Sequence, residues 1–114
     1  MEDKRITDQQ ITALNWLYQR QESNRDYSPR FARLNNKREG GGGWCSQPIE
    51  EYQGAYLEID LLKNTRLTAI ASQGRGIGGE FIDEYGITYK RDNDKSYREY
   101  KERGRWHVSV KLYF

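Results

Sequence analysis

The sequence has 114 residues, of which 35% are hydrophobic, 32% charged and 13% aromatic, with a formal net charge of +2. The length fits a single small domain spanning residues 1–114, and no apolar stretch approaches the roughly 18 residues that a membrane-spanning helix requires. Leu, Ile, Val and Phe account for only 21 residues, but the low net charge and the many aromatic residues argue against disorder. We therefore expect a thin core rich in aromatic side chains, and the small positive charge does not by itself indicate a nucleic-acid binder.

The first residues and the cysteine content bear on the cellular compartment. The polar start, Met1 to Arg5, is not followed by the apolar segment that is typical of a secretory signal. Cys45 is the only cysteine, so it predicts neither an internal disulfide nor a zinc site. We expect a free, poorly reactive thiol packed near Trp44, which taken alone is compatible with a reducing compartment.

The first half of the chain contains few regular patterns. Residues 11–18 predict a short helix or a strand that runs into an apolar loop, whose side chains include Leu14, Trp16, Leu17 and Tyr18. Residues 19–30 are typical of a loop, and Pro29 breaks any helix that would run through it. Four consecutive glycines at 40–43 predict a second loop, which ends at Trp44 and Cys45.

The second half alternates between apolar and polar residues, which predicts strands. The predicted strands are 56–61, 67–73, 85–89 and 106–114, with turns near Asn64 and at 92–94 and a glycine-rich loop at 74–80. No helix longer than about two turns is expected. Several short strands separated by turns indicate an all-β sandwich or barrel.

No motif in the sequence indicates an enzyme. The glycines of 74–79 fit the spacing of a dinucleotide-binding loop, but the next element alternates like a strand where a helix is required. His107 has no metal-binding or catalytic partner at a recognisable spacing, and any of the many carboxylates could form a hydrolase pair. The basic segment 90–105 has interleaved tyrosines that could bind nucleic acid, but we favour a solvated strand edge that blocks aggregation. A small hydrolase and a nucleic-acid binder therefore remain only remote alternatives.

The apolar loop around Trp16 admits two interpretations. Its Trp, Leu and Tyr side chains either fill the core or form an exposed tip that contacts a ligand. An aromatic tip suits collagen, glycans and lipid interfaces equally well.

Six segments in register resemble the discoidin domain, also called the coagulation factor V/VIII type C domain. The segments are I-T-D-Q-Q-I-T-A at 6–13, P-R-F-A-R-L-N at 29–35, G-G-G-W-C at 41–45, Y-L-E-I-D-L at 56–61, L-T-A-I-A-S-Q-G-R at 67–75 and E-F-I-D-E-Y-G-I-T-Y at 80–89. The glycine run before Trp44 and the Q-G-R…E-F pattern at 73–81 are similar to those of the collagen-binding discoidin domain receptors.

The resemblance implies a jelly-roll β-sandwich of about eight strands that binds ligands through loops at one end and has no catalytic activity, cofactor or metal. It implies an extracellular adhesion module for collagen or a related matrix ligand, with anionic phospholipid or glycan as alternative ligands of the same loops. The ligand-binding residues that it implies are Trp16, Leu17, Tyr18, Gly41, Arg75 and Glu80. In this interpretation Trp16 is the flat apolar platform and Arg75 the donor to the ligand, while Glu80 holds the guanidinium in place.

The sequence also departs from the family pattern. The receptors have an acid where this chain has Gly41, and the loop 74–80 is a few residues shorter here. The family's opening and closing cysteines are absent, and Ser109 occupies the position of the cysteine that pairs with the Trp-Cys thiol in the receptors. About two or three strands of the family sandwich are missing between Tyr100 and the last strand, so we expect a shortened or atypical member.

Overall fold

The computed structural model describes residues 5–14, 16, 26–36, 41–46, 55–75, 79–82, 85–102, 105–106 and 111–113. In chain order, its strands are β1 (Ile11–Leu14), β2 (Tyr56–Asp60), β3 (Ile87–Lys90), β4 (Arg98–Glu102), β5 (Arg105–Trp106) and β6 (Lys111–Tyr113). Two single turns of 3-10 helix, Asp8–Gln10 and Pro29–Phe31, are the helical elements of the described residues. The all-β fold class predicted from the sequence is confirmed.

The six strands form one mixed sheet in the order β1-β2-β6-β3-β4-β5. β6 lies between β2 and β3 and runs parallel to both, whereas the outer pairs β1/β2, β3/β4 and β4/β5 are antiparallel. The closing strand of the chain thus joins two antiparallel units into one sheet.

Alternation along β1 and β2 creates one apolar and one polar face. Ile11 lies opposite Ile59 in the β1/β2 register, and both side chains are buried. Thr12 and Glu58 face each other on the opposite side of the sheet, where Glu58 also accepts a hydrogen bond of 2.9 Å from the Tyr97 hydroxyl. This is the half-buried pattern that the alternation of residues 56–61 predicts.

The apolar core of the described residues is small. Its buried hydrophobic members are Ile11, Ile59 and Tyr27, which is only 3% exposed. Tyr27 lies outside every strand, in the segment that the sequence classifies as a loop. The core therefore extends from the sheet into the loops beside it.

One of the predicted strands, at 67–73, is wrong in the structure. Residues 67–73 run as exposed chain outside every strand, with Leu67 37% and Ile70 43% exposed. Each face of this segment has one large apolar side chain, Leu67 or Ile70, among small or polar ones, so it offers little apolar surface to a neighbouring strand.

The strand predicted at 106–114 is two strands in different parts of the sheet. β5 pairs with β4 at the sheet edge, while β6 lies between β3 and β2, so that β4 and β3 separate it from β5. The predicted strand at 85–89 is confirmed as β3, which begins at Ile87, and the turn at 92–94 is closed by a 2.9 Å hydrogen bond from the Asp94 amide to the Arg91 carbonyl.

Within the part of the chain that the structure describes, no helix is long and apolar enough to cross a membrane.

Candidate functional site

Trp16 lies just beyond the carboxyl end of β1, where it forms an isolated antiparallel bridge with Ser46. Its side chain is half-buried. Since Ser46 follows Trp44 and Cys45, the bridge places Trp16 next to the glycine turn. The sequence offers no signal for this long-range pairing.

The glycine turn packs against Tyr27 at very close range. The Gly41 amide donates a 2.9 Å hydrogen bond to the Asp26 carbonyl, and the Cys45 amide donates to the Tyr27 carbonyl at 3.4 Å. A β-carbon at Gly41 would lie 2.0 Å from Cε1 of the Tyr27 ring, a distance that real side chains do not reach. Gly41 thus allows the backbone to lie directly on the aromatic ring.

Arg75 and Glu80 form a bidentate ion pair across the base of the second glycine-rich loop. The Arg75 Nε donates to Glu80 Oε2 at 2.8 Å, and Nη2 donates to both carboxylate oxygens. The Arg75 amide also donates to the Glu80 carbonyl at 2.8 Å. Side chains and backbone together fix the two ends of the loop at 75–80.

The guanidinium of Arg75 also joins this loop to the glycine turn. Its Nη1 donates to the Gly41 carbonyl at 3.0 Å and to the Tyr27 hydroxyl at 3.2 Å, with Cζ 5.3 Å from the centre of the Tyr27 ring. All three nitrogens therefore donate within the chain. The hydrogen bonds to Glu80 raise the pKa of Arg75 above its ordinary value, so the charge is permanent.

The two members of the ion pair differ greatly in exposure. The Arg75 side chain is 8% exposed and that of Glu80 is 62% exposed. The next two residues along the chain, Phe81 and Ile82, are 72% and 57% exposed. The surface of this loop is thus an exposed carboxylate beside apolar side chains, above a buried guanidinium.

Gly74 allows the backbone of Glu80 and Phe81 to approach the base of the loop closely. A β-carbon at Gly74 would lie 3.1 Å from the Glu80 carbonyl oxygen and 3.2 Å from the Phe81 β-carbon. Any larger residue would push residues 80–81 away from the loop base. Because position 74 has no side chain, the β-carbon of Phe81 can lie close to the backbone of Gly74.

Cys45 is a free thiol at the edge of this network, as the sequence predicts. Burial raises the pKa of Cys45, although the positive charge of Arg75 partly opposes the shift. A thiol with a raised pKa carries little thiolate near neutral pH and reacts slowly.

Asp26, which directly precedes Tyr27, forms hydrogen bonds with three neighbouring residues, Ser28, Arg30 and Gly41. Burial alone would raise the pKa of Asp26, but hydrogen bonds from the Ser28 amide at 2.8 Å and from Arg30 at 2.6 Å outweigh it, and the pKa lies below its usual value. Its main-chain carbonyl accepts a hydrogen bond from the Gly41 amide. Asp26 therefore supports the segment that carries the buried ring.

The structure brings together most of the residues that the sequence proposes for ligand binding. Gly41, Arg75 and Glu80 are in one hydrogen-bonded network, and Trp16 is tied through Ser46 to the turn that Gly41 opens. Leu17 and Tyr18 lie outside the described residues. Arg75 is placed differently from expectation, because its nitrogens donate to Glu80, Tyr27 and Gly41 of the same chain.

Tyr27 is the site residue that sequence reasoning missed. It lies in a polar stretch before Pro29 without alternation or helical spacing, so nothing local distinguishes it from an exposed loop tyrosine. A search of the described residues finds no group of His, Cys, Asp or Glu side chains arranged to hold a metal ion.

An all-β chain that gathers an aromatic side chain, a glycine turn and an ion pair at neighbouring loops has the organisation of a β-sandwich recognition domain. The chain belongs to the F5/8 type C domain family, which it matches over residues 15–114. The sequence resemblance to this family and the discoidin-like β-sandwich class are thereby confirmed. Family membership supports an extracellular recognition module.

Curated relatives are similar to the chain over most of its length. The epithelial discoidin domain-containing receptor 1 of Rattus norvegicus and that of Mus musculus are each 29% identical to it over 108 aligned residues, covering 90% of this chain. The chain spans only 11% of the length of these receptors. No solved structure matches it significantly.

Proposed function

We propose that the chain is a non-enzymatic adhesion module that binds collagen or a related extracellular-matrix protein through the loops around Trp16, Gly41 and Arg75. The observation that supports this best is the Arg75–Glu80 pair, held between two glycine loops and tied to Tyr27. Such a network fixes the loops before the ligand arrives, which lowers the entropic cost of binding. The similarity to discoidin domain receptors supports the same class of function.

Trp16 is the proposed apolar contact with the ligand. Its backbone is held by the bridge to Ser46, while its side chain is only half-buried. A rigid aromatic ring at a loop tip suits the ridged, proline-rich surface of a collagen triple helix. Leu17 and Tyr18 follow it in sequence and are proposed to extend the same contact.

The test is binding of the purified chain to immobilised fibrillar collagen. We expect Trp16→Ala to weaken binding by about 2 kcal/mol, or roughly 30-fold in Kd, as for an aromatic hot spot. Tyr100→Ala is the control, because Tyr100 is 47% exposed and lies in β4, outside the network. If Trp16→Ala unfolds the chain in thermal melting, Trp16 is a core residue. If the folded variant binds collagen like the wild type, Trp16 is not a ligand contact.

Anionic phospholipid is a second candidate ligand, favoured by the exposed side chains of Phe81 and Ile82. Apolar tips of this kind insert into the membrane interface, with basic residues meeting the headgroups. The exposed carboxylate of Glu80 beside them opposes an anionic surface, and for this reason we rank collagen first. Sedimentation with phosphatidylserine vesicles separates the two candidates.

A further inference from the structure

Residues 66–74, which we call the 66–74 segment, lie outside the sheet and are exposed at every position. Among the residues that the structure describes, no main-chain amide or carbonyl of this segment takes part in a main-chain hydrogen bond. None of its residues has a positive φ, so no left-handed position prevents an extended backbone. The segment therefore presents unpaired main-chain donors and acceptors to solvent, as the edge of a sheet does.

Side-chain contacts hold the carboxyl end of the 66–74 segment against the domain. The Ser72 Oγ accepts a 2.8 Å hydrogen bond from the Tyr85 hydroxyl, and the Gln73 Oε1 accepts one of 3.0 Å from the Asn35 amide. These contacts use the side chains of the segment and leave its main chain available. They also restrict the segment in advance, which lowers the entropic cost of pairing with another strand.

The composition of the segment lacks the features that keep strand edges from pairing. Natural edges are protected by charged side chains, especially Lys, by Pro or by bulges. Residues 67–73 read L-T-A-I-A-S-Q and contain no charged residue, no Pro and no Gly. Since Arg66 is the only charged residue of the segment, charge repulsion does not keep another copy of the same segment away.

We propose that the 66–74 segment pairs with the same segment of a second copy of this chain, as two antiparallel strands related by a two-fold axis at Ile70. In this register Arg66 of each copy lies opposite Gly74 of the other, so no like charges face each other. A parallel pair in register would instead place the two Arg66 side chains side by side, which is unfavourable. The charge pattern therefore favours the antiparallel pair.

The same register also matches the side chains across the two strands. Thr68 lies opposite Ser72, and their hydroxyls can form a hydrogen bond, while Ile70 lies opposite its counterpart. The apolar surface is small, so the pairing depends mainly on main-chain hydrogen bonds, as when an extended peptide adds to a sheet edge. The proposed dimer is therefore weak, and it does not depend on which ligand the loops bind.

Sedimentation of the purified chain at increasing concentration tests for the dimer. Because a single strand pair buries less area than a standard interface, the mean mass of the wild type should rise above the 13.5 kDa of the monomer only above about 0.1 mM. Ile70→Lys opposes two ammonium groups at the axis and is expected to weaken the dimer about five- to tenfold. Leu62→Lys is the matched control, because it adds the same charge at a 72% exposed leucine outside the segment.

Disulfide cross-linking in a Cys45→Ser background tests the register. Ile70→Cys would place two thiols at opposite positions, with α-carbons about 5 Å apart and within reach of a disulfide. Leu67→Cys is the control, since Leu67 is 37% exposed and Ile70 43%, but its two copies would lie about 20 Å apart. We expect Ile70→Cys to form disulfide dimers at least about tenfold faster than Leu67→Cys. Thermal melting confirms that each variant is folded.

Every outcome bears on the second-copy interface. A mass that rises in the wild type and in Leu62→Lys but not in Ile70→Lys, together with faster cross-linking at position 70, supports it. A wild type that stays monomeric up to about 0.5 mM overturns it. Equal weakening by the two lysine substitutions, or equal cross-linking at positions 67 and 70, assigns self-association to another surface and also overturns it. Collagen binding is measured separately, and its presence or absence changes none of these results.

Discussion

Replacing Gly41 by alanine tests the contact that joins the core to the candidate site. The new β-carbon would lie 2.0, 2.3 and 2.8 Å from three carbons of the Tyr27 ring, whereas ordinary contact begins near 3.4 Å. The ring is 3% exposed and has no open side toward solvent. Either the ring or the glycine turn must therefore move by more than an ångström.

The cost follows from this overlap. Overpacking of a buried site costs about 1–3 kcal/mol, and moving the ring also weakens the hydrogen bond from Arg75 to the Tyr27 hydroxyl, worth about 0.5–1.5 kcal/mol. Alanine also lowers the conformational entropy of the unfolded chain, which stabilises the fold by about 0.4–1 kcal/mol. We expect a net loss of about 0.5–4 kcal/mol in the free energy of unfolding, or a fall in Tm of at least about 2 °C.

Gly43→Ala is the matched control in the same turn. Its β-carbon would lie 3.5 Å from Cγ of Arg75, an ordinary contact, so the substitution is expected to be neutral or slightly stabilising. Thermal and urea unfolding of both variants measure the difference. If Gly41→Ala is as stable as Gly43→Ala, the close packing of Gly41 on Tyr27 is refuted.

Two further predictions follow from the titratable groups around Tyr27. Because the pKa of Asp26 is lowered in the fold, its contribution to stability is present above its unfolded pKa, near 4, and is lost as the pH falls through the lower folded value. Asp26→Asn should therefore lower Tm at pH 7 but less so below about pH 4, and an unchanged difference across that range contradicts this reasoning. Because burial raises the pKa of Cys45, a thiol reagent at pH 7 should label the native chain slowly and the denatured chain rapidly. Equal rates in the two states show that the thiol is open to solvent.

The strands that could be predicted from the sequence are those whose pattern coincides with a two-faced environment. In β2, Ile59 is buried while Glu58 pairs with polar groups on the other face, so the alternation reports a real difference between the faces. At 67–73 only Leu67 and Ile70 are large and apolar, and among the described residues no strand pairs with this segment. The alternation at 106–114 is continuous, but β5 pairs with β4 whereas β6 pairs with β2 and β3. Alternation indicates that a segment suits a strand, and only tertiary structure provides its neighbour.

The candidate site was predictable only where a family pattern marks it. Arg75 and Glu80 are ordinary loop charges by local criteria, and the resemblance alone pairs them. The sequence marks Gly41 only as the position where the receptors have an acid, and the structure gives it a packing role against Tyr27. The missed role of Tyr27 depends on contacts with residues 14 and 48 positions away, which no local pattern encodes.

The small core makes stability and ligand binding interdependent in this chain. Tyr27 is one of the three buried hydrophobic residues of the described structure, and its hydroxyl is also a partner of Arg75. In a larger sandwich the loops rest on a core that is complete without them, so a loop substitution changes binding alone. Here the glycine turn and the base of the 75–80 loop cover a core residue themselves. A substitution that loosens the Arg75 network, at Glu80 as much as at Arg75, therefore lowers stability, whereas one at the exposed side chains of Phe81 or Ile82 can change a surface contact without unfolding the domain.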